Sequence, residues 1–144
     1  MPDRPRLHQL NLVVSSAEAS LDFYRRLGLD VPAEPDLHLE VPQDGPVTLE
    51  LDAPESARIW NASWRRPEGG TKVVLGFEVV ERDEVDRIYA DLTGAGHAGI
   101  QPPFDAFWGA RYAIVADPDG NQVGLMSARD EARQHWPPGE APDP

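Results

Sequence analysis

Apolar and polar residues alternate through residues 7–14 (LHQLNLVV), with Leu10, Leu12 and Val14 on one side and Gln9, Asn11 and Val13 on the other. A period of two predicts a strand with one apolar face and one partly polar face. The period then lengthens. Leu21, Tyr24 and Leu27 recur at helical intervals behind Ser15 and Glu18, which have capping-box spacing, and Gly28 supplies a stop. After Leu29, Asp30 and Val31 come two short alternating runs, residues 37–41 (LHLEV) and 47–51 (VTLEL), separated by Pro42, Asp44, Gly45 and Pro46. Turn residues between alternating runs predict an antiparallel pair. A β-α-β-β-β unit over about residues 7–52 is therefore expected.

The same order returns in the second half. Residues 72–79 (KVVLGFEV) are strongly strand-like, and Val85, Ile88, Tyr89 and Leu92 mark one face of a helix over residues 83–94. The run FYRRLG ending at Gly28 matches Ile88, Tyr89, Leu92 and Gly94, which points to an internal duplication. Residues 100–103 form a short strand in this reading. Tyr112 and Ile114 then alternate with Ala113 and Val115, Asp117-Pro118-Asp119-Gly120-Asn121 has hairpin chemistry, and Val123 and Leu125 resume the alternation. The second unit thus covers about residues 72–128. Between the units, residues 53–71 carry Pro54, Pro67, Gly69 and Gly70 and are expected to be an irregular connector, ordered by Trp60 and Trp64. Residues 131–144 are polar and proline-rich, a mobile tail with Trp136 as an anchor.

Composition narrows the partners. A length of 144 residues suits one domain with a single substantial core. Thirteen basic against 25 acidic residues give a net charge of −12, which disfavours nucleic acid and anionic membranes and permits a neutral or cationic small ligand. Without cysteine there is no disulfide, thiolate site or thiol nucleophile. The N-terminal MPDRPRL is not an apolar signal, and no apolar run approaches the ~20 residues that span a bilayer, so a soluble cytoplasmic protein is expected. No Ser-His-Asp arrangement or phosphate loop is visible. Phe104, Phe107 and Trp108 beside Gly109 fit a flat ligand slot at a strand entrance.

Two tandem units with FYRRLGL in the first and DPDGN in the second resemble the vicinal-oxygen-chelate superfamily, which includes glyoxalase I, extradiol dioxygenases and bleomycin-binding proteins. The resemblance covers roughly residues 7–128. It implies an α+β fold in which two βαβββ units form a curled mixed sheet with a cleft, commonly in a homodimer. Enzymatic members hold a divalent metal with one ligand from the first and one from the last strand of each unit. Those positions fall here on Gln9 and Glu50, which can coordinate, and on Val74 and Gly124, which cannot. Two donors do not hold such an ion tightly, so no metal and no cofactor are expected. His8 is one step off the ligand face, and His38 is the better ligand-facing histidine.

GLDVPAE, IWNASW, RRPEGG and FWGARYAIVADPDGN look like the drug-binding branch of this superfamily, in particular its mitomycin-binding members. That resemblance implies a protein that sequesters a planar aromatic drug without catalysis. Trp108 is the expected stacking face, Trp60, Phe104 and Phe107 are walls, and Tyr112 divides between ligand and core. His38, Glu50 and Asp52 are the polar groups expected to orient the ligand. The alternatives are a metal-dependent lyase, isomerase or dioxygenase, and a cofactor-free enzyme with Glu50 as general base.

Overall fold

The computed structural model describes residues 7–68, 73–136 and 142. It divides into two compact units, Met1–Pro67 and Glu68–Pro144. The first contains β1 (Gln9–Val13), α1 (Ala17–Leu27), β2 (His38–Val41), β3 (Thr48–Asp52) and α2 (Pro54–Trp60). Its strands lie in the order β1-β3-β2, with β1 parallel and β2 antiparallel to β3. Leu39, Val41, Leu49 and Leu51 are buried from the sheet, and Leu21, Phe23, Tyr24 and Leu27 from α1. Ser16 caps α1, accepting from the Ala19 amide at 3.2 Å, one residue later than the spacing of Ser15 and Glu18 suggests.

Three local features depart from the sequence expectation. The described part of the first unit has three strands, one short of the expected β-α-β-β-β: none forms between α1 and β2, where the Leu29 amide closes the end of α1 on the Tyr24 carbonyl and the Val31 amide turns back to Leu29. Residues 54–60 form a helix where an irregular connector was expected. Pro54 occupies the first turn of α2, where a missing N–H leaves no helical bond unmade, and Ala57 is buried beneath it. Proline here starts an element that it would interrupt in mid-course. The third is the start of the second unit's first strand, at Val74; Thr71 and Lys72 lie outside the described residues.

The second unit contains β4 (Val74–Val79), α3 (Arg82–Gly94), β5 (Gly99–Asp105), β6 (Arg111–Ala116) and β7 (Gln122–Ser127). The order is β4-β7-β6-β5, with β4 parallel to β7 and the other pairs antiparallel. The duplication is explicit in this topology. In each unit the first strand lies parallel to the last, and the strand before the last flanks it on the other side. Val85, Ile88 and Leu92 of α3 are buried, as are Leu75, Ala113, Val115, Val123 and Leu125 of the sheet. Arg111 forks onto Asp86 of α3 with bonds of 2.9 and 3.1 Å; this hydrogen-bonded carboxylate raises the guanidinium pKa further. Register shifts interrupt β5 between Gly99 and Phe104, where Pro102 and Pro103 cannot donate to a ladder.

The β6–β7 hairpin is built on Asp117, which is buried. One carboxylate oxygen accepts the Asp119 and Asn121 amides, and the other accepts the Asn121 side chain, at 2.8–2.9 Å. Gly120 takes φ of 83°, the left-handed conformation that favours glycine. Among the described residues no helix is long and apolar enough to cross a membrane.

Candidate ligand-binding site

In the first unit, strand alternation collects polar side chains on one sheet face. Asn11 lies opposite Glu50 and Glu40 opposite Glu50 on the other side, while His38 lies opposite Asp52. The centre of the face is Asp52, with no solvent exposure. It accepts from Asn11 Nδ2 at 2.8 Å and Ser56 Oγ at 3.1 Å, and it lies 2.7 Å from His38 Nδ1. His38 Nε2 is 3.2 Å from Glu50, which also accepts from Thr48 Oγ1 at 3.1 Å. One half-exposed imidazole therefore bridges two carboxylates.

The electrostatics follow from these contacts. The hydrogen bond to Asp52, helped by the negative charges of Asp52, Glu50 and Glu40, outweighs desolvation and raises the His38 pKa. Burial alone would push Asp52 up, but hydrogen bonds from Asn11, His38 and Ser56 outweigh it and hold the carboxyl below its usual range. The three polar residues selected from the sequence, His38, Glu50 and Asp52, are thus directly linked. Asn11, Ser56, Thr48 and Glu40 complete the network and were missed. Asn11 was visible as the neighbour of Gln9 on the polar face of β1; Ser56 became visible only with α2 in place.

In the second unit, the aromatic residues form a continuous edge-to-face row. Phe104 of β5 lies opposite Tyr112 of β6, with ring centroids 6.2 Å apart. Tyr112 meets Trp108 at 5.3 Å, Trp108 meets Phe107 at 5.3 Å, and Phe107 meets Trp136 at 5.8 Å. Interplanar angles of 70–87° place positive ring edges against negative faces throughout. Burial raises the Tyr112 pKa, so its phenol is neutral at physiological pH. At one end of the row a pocket of about 440 Å³ is lined by Phe107, Trp108, Gln134, His135 and Trp136. Among the described residues, the buried Trp108 Nε1 has no hydrogen-bond partner.

Phe104, Phe107, Trp108 and Tyr112 are therefore together. Trp60 belongs to the first unit, at the end of α2 and 54% exposed. Trp64, also in that unit, carries the Arg58 guanidinium 5.5 Å from its ring centroid, a cation–π contact. Gln134 and His135 were missed as pocket residues because the segment carrying them reads as a polar tail.

The positions at which family enzymes hold a metal can be tested within each unit. Gln9 lies opposite Thr48 with Glu50 two residues on, and Val74 lies opposite Gln122 with Gly124 two residues on, so the register of the two pairs is equivalent. The first pair is engaged: Gln9 Nε2 donates to Asn11 at 2.6 Å, and Glu50 faces His38 and Thr48. The second pair has no donor, and the Tyr112 phenol covers Gly124, where an added Cβ would come within 2.9 Å of Oη. These residues do not fit a divalent ion held at the family position. A different group, His38, Glu40 and Glu50, has one potential ligand atom from each residue within 4.8 Å of the others.

The topology and the comparisons agree on the family. The model of the Glyoxalase/Bleomycin resistance protein/Dioxygenase superfamily matches residues 6–125, and the chain belongs to that superfamily. Among solved structures, a member of this superfamily from Sphaerobacter thermophilus DSM 20745 is similar at 28% identity, covering 87% of this chain and 98% of that one, with a TM-score of 0.61. A glyoxalase/bleomycin resistance protein/dioxygenase from Nocardioides is 25% identical, covering 100% and 91%, with a TM-score of 0.66. A family enzyme from Burkholderia phytofirmans PsJN shares the fold at 19% identity, covering 85% and 98%, with a TM-score of 0.72. No curated protein matches the chain.

Proposed function

We propose that this protein binds a planar aromatic small molecule, an antibiotic of the mitomycin or bleomycin kind, and sequesters it without transforming it. The observation that carries the reading is the pocket walled by Phe107, Trp108 and Trp136. Flat rings supply large contact area at low entropic cost, and each good aromatic pair adds about 0.5–1.5 kcal/mol beyond burial. The net charge of −12 favours a neutral or cationic guest over an anionic one.

Intrinsic tryptophan fluorescence provides the test. Titration with mitomycin C, bleomycin and the planar cation proflavine should give saturable quenching with at least one of them at micromolar concentration. Trp108→Ala should weaken that binding tenfold or more, and unchanged affinity in a folded Trp108→Ala protein would remove this pocket as the site.

A second reading, a metal-dependent lyase, isomerase or dioxygenase, is favoured by one observation, the proximity of His38, Glu40 and Glu50. It requires Co²⁺, Zn²⁺ or Mn²⁺ to raise the melting temperature in a concentration-dependent way and His38→Ala to abolish that rise.

A further inference from the structure

The segment after β7 is tied to the loop that carries the aromatic residues. The Asp130 amide donates to the Gly109 carbonyl at 3.0 Å, and the His135 amide donates to the Phe107 carbonyl at 3.0 Å. Between these bonds, Glu131–Arg133 forms one 3₁₀ turn, capped by Asp130, whose side chain accepts the Ala132 amide at 3.0 Å. Gly109 is the point of closest approach. Its φ is 90°, and a Cβ there would collide with the Asp130 carbonyl. Only glycine permits this loop to accept the segment at that distance. The consequence is positional: Gln134, His135 and Trp136 supply three of the five residues around the pocket.

Trp136 is 79% exposed, which is unusual for a ring in edge contact with another aromatic residue. Its phenyl neighbour Phe107 stands nearly perpendicular to it and to Trp108, at 79° and 87°. The phenyl group is thus flanked by two indoles, one from each arm of the pocket. A wall made only to cover the core would bury its largest side chain; this one leaves an indole face open to a guest.

We infer that residues 130–136 are a built wall of the ligand pocket, with Trp136 as a second ring surface for the planar guest. The inference rests on the proposed binding function and adds the 130–136 wall and its ring as a contact surface. It assigns a binding role to a stretch whose composition suggests only a tail.

The test is a set of fluorescence-polarisation titrations with proflavine, and tryptophan-quenching titrations with mitomycin C and bleomycin, each against the full-length wild-type chain, Trp136→Ala, Trp136→Phe, Gly109→Ala and Trp108→Ala. Wild-type binding with a five- to fiftyfold loss in Trp136→Ala, partial recovery in Trp136→Phe and a loss in Gly109→Ala is the expected result. Circular dichroism and melting temperature establish that Trp136→Ala is folded, as its exposure leads one to expect; the Phe variant keeps the question open to an answer if Gly109→Ala is not. Affinity reduced by Trp108→Ala and unchanged by Trp136→Ala overturns the wall while leaving the binding function in place. Absence of binding by the wild type to proflavine, mitomycin C and bleomycin overturns both.

Discussion

Asp52 has no contact with solvent, yet it is held ionised by Asn11, His38 and Ser56. Hydrogen bonds to a charged group contribute about 1.5–3 kcal/mol each, so Asp52→Asn, which keeps the shape and removes the charge, should lower unfolding stability by about that amount. Urea denaturation measures it. The pH dependence has a definite sign. His38, with its pKa raised on folding, contributes stability that is complete below its unfolded value and is lost as pH rises through the folded one. Asp52, with its pKa lowered, contributes above its unfolded value and loses that contribution as pH falls through the folded one. The melting-temperature difference between wild type and His38→Gln should therefore be largest between the two titrations and shrink toward alkaline pH. His38, Glu50 and Asp52 were legible as site candidates because strand alternation places them on one polar face. Ser56 was not, since a residue four positions beyond Asp52 reaches it only when α2 folds back.

At the scale of elements, the hairpin of Asp117 and the two long helices follow from local chemistry. Asp117→Ala leaves the Asp119 and Asn121 amides without their acceptor and should cost about 1–3 kcal/mol, read from denaturant midpoints. Periodicity identified α1 and α3 because Leu21, Tyr24 and Leu27, and Val85, Ile88 and Leu92, are indeed the buried stripes. The short elements were less readable. Pro54 breaks a helix from inside but starts one at its first turn, and only the surrounding chain decides which. Leu29 and Val31 have strand-like side chains, but their amides are committed to local turns next to α1. Likewise, nothing in RDEARQHW announces a wall; its role comes from two backbone bonds to residues more than twenty positions earlier.

For the molecule as a whole, the repeated first-strand-to-last-strand pairing defines the superfamily, and that architecture hosts unrelated activities. Function is therefore decided by what occupies equivalent positions in the two units. In the first they carry Gln9 and Glu50, already bonded to neighbours; in the second they carry Val74 and Gly124, with Tyr112 lying over the glycine. The chemistry that remains in the second unit is a row of aromatic rings ending in a pocket. Equilibrium binding of mitomycin C in EDTA, with the bound compound recovered and weighed by mass spectrometry, tests this most directly. Saturation at one site, independent of added metal, with the recovered mass unchanged is the predicted result; a new mass, or binding that appears only on adding a divalent ion, would contradict it.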